Sequence, residues 1–178
     1  YDVCNLGSIN LGKFVKEDAL PGVDPDEGID WDAFRTVVHL STHFLDNVID
    51  ANRYPLPAIH DLAQDIRRIG LGVMGWADML VRLGIAYDSE EGVALGRRVM
   101  EFLNEESRNA SEKLAKTRGV FPAWEESIWG PDGKVATRSD GTRIRAMREL
   151  RNCNLTTVAP TGTISIVAGC SGGIEPLF

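Results

Sequence analysis

The end of the chain holds the residues best suited to binding a small anion. An apolar, β-branched run there leads into the sequence Ala-Pro-Thr-Gly-Thr-Ile-Ser. Pro160 ends strand pairing, Gly162 lets a ligand approach the backbone, and Thr161, Thr163 and Ser165 offer hydroxyl groups. A helix that begins at about Thr163 would direct its free N–H groups at the loop, which can hold an anion without a lysine. The residues alone leave two interpretations open, a phosphate-binding loop and a helix start capped by Thr or Ser.

Cys4 is the second group that could carry chemistry, and it lies in the sequence Val-Cys-Asn-Leu-Gly-Ser-Ile-Asn-Leu. A thiol can act as a nucleophile or a reductant. A lone cysteine on an apolar strand is more often a small core residue. Cys153 and Cys170 are the other cysteines of the chain, and three scattered cysteines without a CxxC pair do not form a disulfide scaffold.

Two further patterns lack the residues that their chemistry requires. His39 and His43 stand four residues apart on a predicted helix, but no Glu follows His39 as in HExxH. The stretch Gly169-Cys-Ser-Gly-Gly173 fits GxSxG, but no histidine follows it as the nucleophile elbow of a hydrolase requires. We therefore predict neither a metal site nor a serine hydrolase.

The composition bounds the class of protein. The chain has 178 residues, of which 43% are apolar and 25% charged, enough to form a hydrophobic core in one unit. The net charge of −7 argues against nucleic-acid binding, and no apolar run predicts a membrane span or a signal peptide. We expect a cytoplasmic protein. The charge is uneven: residues 16–32 are acidic, and residues 134–151 carry six basic against two acidic side chains. This basic stretch is either a solvated surface or a region of positive electrostatic potential that attracts an anion to the following loop.

Hydrophobic periodicity predicts a helix-rich chain with short buried strands near its two ends. The glycine-rich middle, with Gly70, Gly72 and Gly75, would weaken a lone helix, so we expect these glycines to permit close packing against another backbone. The predicted elements are a strand within residues 1–15, a loop at 18–30, a helix from Trp31 to about Asn52, a helical segment from Ala58 to Leu83, a helix from Asp88 or Ser89 to Gly119, a turn at Trp129–Gly133, a hairpin closed by Ser139–Thr142, a short helix at Arg143–Leu150 and a strand at Asn154–Val158.

Three stretches together resemble the catalytic subunit of ribonucleotide reductases: CNLGSINL, RRIGLGVMGWADML and NLTTVAPTGTISIVAGCSGGIEPLF. They occur in the family's order and span the chain. The phrases APTGTISI and AGCSGGIEP are most similar to the adenosylcobalamin-dependent class II enzymes, although iron- and manganese-dependent large subunits have similar phrases. The resemblance implies an α/β fold, with residues 1–178 forming one helix-rich segment of the ten-stranded catalytic barrel. It also implies that the parent chain continues at both ends.

The resemblance implies roles for particular residues. Cys4 matches one cysteine of the pair that reduces the substrate. A dithiol that becomes a disulfide supplies the two electrons and two protons that this reduction needs. The loop Pro160, Thr161, Gly162, Thr163, Ile164 and Ser165 matches the one that holds the substrate phosphates. Cys153 and Cys170 match no redox cysteine of the family and are predicted to be structural. The family's radical-cysteine motif Asn-x-Cys-x-Glu does not occur in the 178 residues, so the isolated chain is predicted to be inactive.

The resemblance also implies an activity and its partners. The parent enzyme converts ribonucleoside di- or triphosphates to 2′-deoxyribonucleotides for DNA synthesis by thiyl-radical chemistry. It would use adenosylcobalamin, an external dithiol such as thioredoxin and nucleotide effectors, and it is a possible homo-oligomer that binds neither nucleic acid nor membrane. The alternative is a non-catalytic helical scaffold or accessory module that retains an anion-binding loop.

Overall fold

A computed structural model describes residues 2–133 and 135–177 as two strands covered by helices. None of the helices in these ranges is long and apolar enough to cross a membrane. The elements are β1 (Asn5–Asn10), a 3-10 helix (Leu11–Phe14), α1 (Pro25–Gly28), α2 (Trp31–Ala51), α3 (Pro57–Ile66), β2 (Ile69–Met74), α4 (Trp76–Leu83), α5 (Glu90–Arg118), a 3-10 helix (Pro122–Glu126) and α6 (Gly162–Ala168).

β2 is the central strand of a small parallel sheet. β1 lies along one edge of β2, with Asn5 opposite Ile69 and Asn10 opposite Met74. Residues 154–157, here called the third-strand segment, lie along the other edge. The N–H of Leu71 donates to the carbonyl of Leu155 at 2.7 Å, and the N–H of Thr157 donates to the carbonyl of Leu71 at 3.0 Å. The predicted strand at Asn154–Val158 therefore exists as a short parallel neighbour, bridged at Thr156.

The two faces of the sheet differ because side chains alternate along each strand. Ile9, Leu71 and Val73 belong to one buried core cluster with the inner residues of α2 and α5. The buried positions of α2 step by three and four residues, as the periodicity predicts, and Asp30 caps its first turn. Ser89 caps α5 in the same way, so both long helices are confirmed to within two residues of their predicted bounds.

The predicted helical segment from Ala58 to Leu83 is wrong, because it contains α3, β2 and α4 in succession. Every residue of β2 is buried. A Cβ atom at Gly72 would lie 2.7 Å from the carbonyl oxygen of Thr157, so the third-strand segment can approach only a residue without a side chain. The expected close packing of the glycines against another backbone is confirmed, but in a strand rather than a helix.

The predicted helix at Arg143–Leu150 is also wrong, since these residues form no helix. Their polar groups bind distant parts of the chain instead: the N–H of Arg148 donates to the carbonyl of Trp129 at 3.1 Å. The reversal at Ser139–Thr142 is confirmed by a bridge between Thr137 and Arg143. The last helix begins at Gly162, one residue before its predicted start.

A buried ion pair joins the helices to the start of β2. Asp46 of α2 is 0% exposed and Arg67, which follows α3, is 2% exposed. The Arg67 guanidinium donates to the Asp46 carboxylate at 3.0 Å and to both carboxylate oxygens of Asp50 at 2.9 and 3.0 Å. Asp50 is half exposed, and its hydrogen bond with Arg67 lowers its pKa from the usual value.

The same carboxylate also holds the chain just before the third-strand segment. The Asn152 side-chain amide donates to Asp46 at 2.9 Å and to the carbonyl of Arg67 at 3.1 Å. Ser111 of α5 donates its hydroxyl to the Asn152 side chain at 2.9 Å. Asp46 of α2 therefore connects Arg67, before β2, with Asn152, before the third-strand segment, and through Asn152 it also connects to α5.

Replacing Asp46 with Asn should destabilise a protein that carries this segment by about 3 kcal/mol or more, because the buried Arg67 then loses the charge of the fully buried carboxylate that binds it. The half-exposed Asp50 is the matched control, and Asp50→Asn should cost less than about 1 kcal/mol. Denaturant unfolding measures both free energies. Because the folded pKa of Asp50 is lowered, its contribution is complete above the unfolded pKa and disappears as the pH falls through the folded value. Equal losses in the two variants would contradict this account of the buried pair.

Candidate functional site

The face of the sheet opposite the long helices carries small and polar groups together with the exposed Leu6 side chain. A Cβ atom at Gly70 would lie 2.6 Å from the Leu6 side chain, 3.1 Å from that of Thr157 and 3.2 Å from the Cys4 sulfur. A Cβ atom at Gly72 would lie 3.5 Å from the Ser8 hydroxyl. We call this surface, formed by Cys4, Leu6, Ser8, Gly70, Gly72 and Thr157, the open face. Both glycines are buried, because neighbouring groups fill the space that their side chains would occupy.

Cys4 lies at the N-terminal end of the open face, directly before β1. Its sulfur is partly buried, and burial raises the pKa of the Cys4 thiol, while the Arg68 charge lowers it and the Asp2 charge raises it. Arg68 and Asp2 form an ion pair at 3.0 Å, so the cation is already balanced. At neutral pH the group is therefore a protonated thiol, suited to giving up hydrogen rather than to acting as a standing thiolate.

Cys153 lies in the same row of the sheet as Cys4 but on the far side of β2. The register places Arg68 between them, and two strand spacings amount to about 10 Å. Cysteines with Cα atoms more than about 7 Å apart cannot form a disulfide without backbone movement. Burial raises the pKa of the Cys153 thiol to about 11. These features support the prediction that Cys153 is structural.

The loop from Pro160 to Ser165 uses two of its hydroxyl groups internally. Thr161 is buried in a left-handed conformation, with φ of 58°, and its hydroxyl oxygen accepts the N–H of Gly173 at 2.6 Å. The buried Ser165 donates its hydroxyl to the carbonyl of Gly162 at 3.1 Å and its N–H to the carbonyl of Thr161 at 2.9 Å. These bonds fix the shape of the loop rather than face solvent.

The outer side of the loop is open to a ligand. Pro160, Gly162, Thr163 and Ile164 are exposed, and a Cβ atom at Gly162 would meet no atom within 4 Å. The N–H groups at the start of a helix have no acceptor within the helix. The groups left for an anion are therefore the N–H groups of residues 162–164 and the Thr163 hydroxyl. The loop follows the C-terminal end of the third-strand segment, so it and Cys4 lie at opposite ends of the sheet.

Three of the five arginines of the basic stretch, Arg143, Arg148 and Arg151, have an acidic side chain within 4 Å. Arg148 binds Glu112 at 2.6 Å and Glu105 at 3.0 Å. Arg143 pairs with Asp132. Lys134 lies outside the described residues. The pairing favours the interpretation of this stretch as a surface of ion pairs and leaves less field for attracting an anion.

The two histidines that the sequence singles out have protein partners. His39 binds Glu106 at 2.8 Å, and His43 lies 2.9 Å from the Arg118 guanidinium. Across residues 2–133 and 135–177, no group of His, Cys, Asp and Glu side chains could hold a metal ion.

A cavity of about 300 Å³ lies between α5 and the end of the chain. Its lining is largely apolar and includes Trp76, Val93, Met100, Val158 and Ile174. Since Val93 and Met100 belong to α5, this cavity is on the helix side and is separate from the open face.

Sequence reasoning missed two residues that shape the site. Arg68 stands between the two cysteines, and Gly173 holds Thr161. Both residues lie in stretches that carry the family resemblance, but the sequence gives neither of them a role. In the sequence, the adjacent glycines 172 and 173 indicate a close approach of two backbones. The structure shows this approach: a Cβ at either position would lie 3.3 Å or less from the carbonyl oxygen of Pro160 or Ala159.

A parallel sheet with helices on one face, and with a loop and a thiol at its two ends, defines an α/β segment. The whole chain, residues 1–178, matches the family described as "Ribonucleotide reductase, barrel domain". The chain belongs to this family. Its helices and short strands form one helix-rich segment of that barrel.

Relatives and a solved structure agree with this family. The chain is 48% identical over its full length to a vitamin B12-dependent ribonucleoside-diphosphate reductase of Thermoplasma acidophilum and 43% identical to one of Mycobacterium tuberculosis. It spans only 20% and 22% of these relatives. The class Id ribonucleotide reductase alpha subunit of Actinobacillus ureae matches 98% of the chain with a TM-score of 0.70 at 26% identity, and the match covers 28% of that subunit.

Gly72→Ala should displace the third-strand segment, because the new methyl group would lie 2.7 Å from a backbone oxygen that cannot rotate away. We expect a loss of about 1–3 kcal/mol in the free energy of unfolding, as for other overpacked core positions. Gly133→Ala is the control, since no atom lies within 4 Å of its added Cβ. A Gly72→Ala protein as stable as the control would show that the strands are not held this closely.

Proposed function

We propose that this segment works within a ribonucleotide reductase that converts ribonucleotides to 2′-deoxyribonucleotides. The observation that carries the proposal is the match of the whole chain to the barrel domain, together with 43–48% identity to two vitamin B12-dependent reductases. The names of these relatives favour a ribonucleoside diphosphate as substrate. The alternative of a non-catalytic scaffold gains no support from these matches, which span the whole chain.

The first role of the segment is to hold the substrate phosphates. The loop Pro160–Ser165 offers the N–H groups of residues 162–164 and the Thr163 hydroxyl on its open side. Hydrogen bonds to charged oxygens are stronger than neutral ones. Thr161 and Ser165 contribute by fixing the loop. The substrate then extends from the loop along the open face towards Cys4.

The second role is to supply reducing equivalents through Cys4. The 2′-carbon loses its hydroxyl group as water, and two thiols together give up two electrons and two protons as they form a disulfide. Cys4 is one of these thiols, and the partner is a cysteine outside the 178 residues, because Cys153 lies about 10 Å away across β2. An external dithiol of the thioredoxin type restores the pair. Burial, which raises the pKa of Cys4, keeps it protonated and ready for this step.

Adenosylcobalamin is the cofactor that the relatives' names favour, and when bound it supplies the radical that starts the reaction. The apolar cavity of about 300 Å³ beside α5 does not fit a large corrin with amide side chains. We therefore assign no residue of this segment to the cofactor. Nucleotide effectors and a homo-oligomeric parent are further predictions from the family.

Cys4→Ser should abolish multiple turnover of the full-length reductase with an external dithiol, while the affinity for substrate stays near normal. A serine hydroxyl cannot form the disulfide, but it keeps the size of the side chain. Cys153→Ser is the control and should turn over normally. Retained turnover in Cys4→Ser, or an equal loss in Cys153→Ser, would contradict the assignment.

Gly162→Val should weaken binding of a ribonucleoside diphosphate to the full-length enzyme by more than about tenfold, because the isopropyl group covers the N–H groups that face the ligand. The side chain fills open space, so the loop itself has no clash. Arg143→Ala should change binding only a few-fold, and less at high salt, because its charge is paired and screened within about 8–10 Å. A larger effect of Arg143→Ala would assign the phosphates to arginine side chains.

A further inference from the structure

The first turn of α4 holds a short segment of backbone that follows α6. The Asp78 carboxylate accepts the N–H of Ser171 at 2.7 Å. The N–H of Gly75 donates to the carbonyl of Ser171 at 2.8 Å. The peptide groups on both sides of Ser171 are therefore fixed by α4, and we call residues 169–173 the strap.

The strap in turn holds the loop. Gly173 donates its N–H to the Thr161 hydroxyl at 2.6 Å, and a Cβ at Gly173 would lie 3.0 Å from the carbonyl oxygen of Ala159. Thr161 has a left-handed backbone, which a β-branched residue rarely adopts. Such a conformation persists only where the surrounding structure holds it. The bond from Gly173 is the side-chain contact that holds Thr161 in place.

Asp78 acts from a rigid element. Trp76, Met79, Leu80 and Leu83 of α4 are buried in the core. Two other charged groups lie near Asp78. Arg82 donates to the carbonyl of Gly12, and Lys13 lines a small cavity together with Asp78 and Arg82. The Asp78 carboxylate is therefore held by a helix that is packed in the core, and it accepts a hydrogen bond directly from the strap.

We infer that Asp78 is a positioning residue for the phosphate loop, acting through Ser171, the strap, Gly173 and Thr161. This inference rests on the proposed function of the loop. With the strap held, the N–H groups of residues 162–164 keep a constant direction towards the substrate. Without it, Thr161 relaxes and the N–H groups lose their common orientation.

The test uses the full-length reductase and steady-state kinetics with a ribonucleoside diphosphate. Asp78→Ala should raise KM by about tenfold or more and change kcat by less than about twofold, since the loop binds phosphate and does not take part in the chemical step. Asp78→Asn keeps an acceptor, though a neutral one, and should raise KM by about two- to fivefold. Asp65→Ala, at an exposed carboxylate of α3, is the control and should behave as the parent enzyme.

Two results would overturn the inference: KM values of both Asp78 variants equal to that of the parent enzyme, or an Asn variant no better than Ala. If Asp78 only stabilised the fold, its variants would lose kcat in proportion to the loss of folded enzyme. Their KM values would not rise in the order Asn, then Ala. If Asp78→Ala does not fold, Asp78→Asn decides, and an unchanged KM refutes the role. Gly162→Val distinguishes failure of the positioning role from failure of the loop proposal. An unchanged KM in Gly162→Val refutes phosphate binding by the loop. A raised KM in Gly162→Val together with normal KM values in the Asp78 variants refutes only the positioning role.

Discussion

The arrangement of the open face depends on one buried carboxylate. Asp46 binds Arg67 and Asn152, the residues that stand just before β2 and before the third-strand segment. A buried charge without its partners is costly, so the two chain segments cannot slide along each other without breaking these bonds. The carboxylate therefore helps to fix the register of two neighbouring strands. A shift by one residue would exchange the faces of the sheet.

This register separates the two candidate functional groups. The row that follows Arg67 and Asn152 contains Arg68 and Cys153. The register, continued by one residue before Asn5 and Ile69, places Cys4 opposite Arg68. Cys4 is thus at one end of the open face, and the loop that begins at Pro160 is at the other. Gly70 and Gly72 lie buried between them, and their neighbours Leu6, Ser8 and Thr157 form the floor of the face. A substrate held by its phosphates at one end reaches towards the thiol along this floor.

The long helices could be predicted from the sequence, whereas the central strand could not. α2 and α5 combine helical periodicity with Asp30 and Ser89 as capping residues, and both signals are local. β2 is buried on both sides, so it lacks the alternation of apolar and polar residues that indicates a strand. Because α3 and α4 flank it directly, the three elements together look like one helical segment in the sequence. Gly70 and Gly72 signalled close packing correctly but not the element. The roles of Cys4 and of the loop came from the family resemblance, since their residue types alone fit a core thiol and a capped helix. The bond from Ser171 to Asp78 joins residues 93 positions apart and has no local signal.

The most direct test of this account is a structure of the full-length reductase with a ribonucleoside diphosphate bound. The account predicts that the phosphate oxygens lie within hydrogen-bond distance of the N–H groups of residues 162–164, and that the ribose lies on the open face, on the side of Cys4. Phosphates held by arginine side chains elsewhere, or a substrate on the helix-covered face of the sheet, would contradict it.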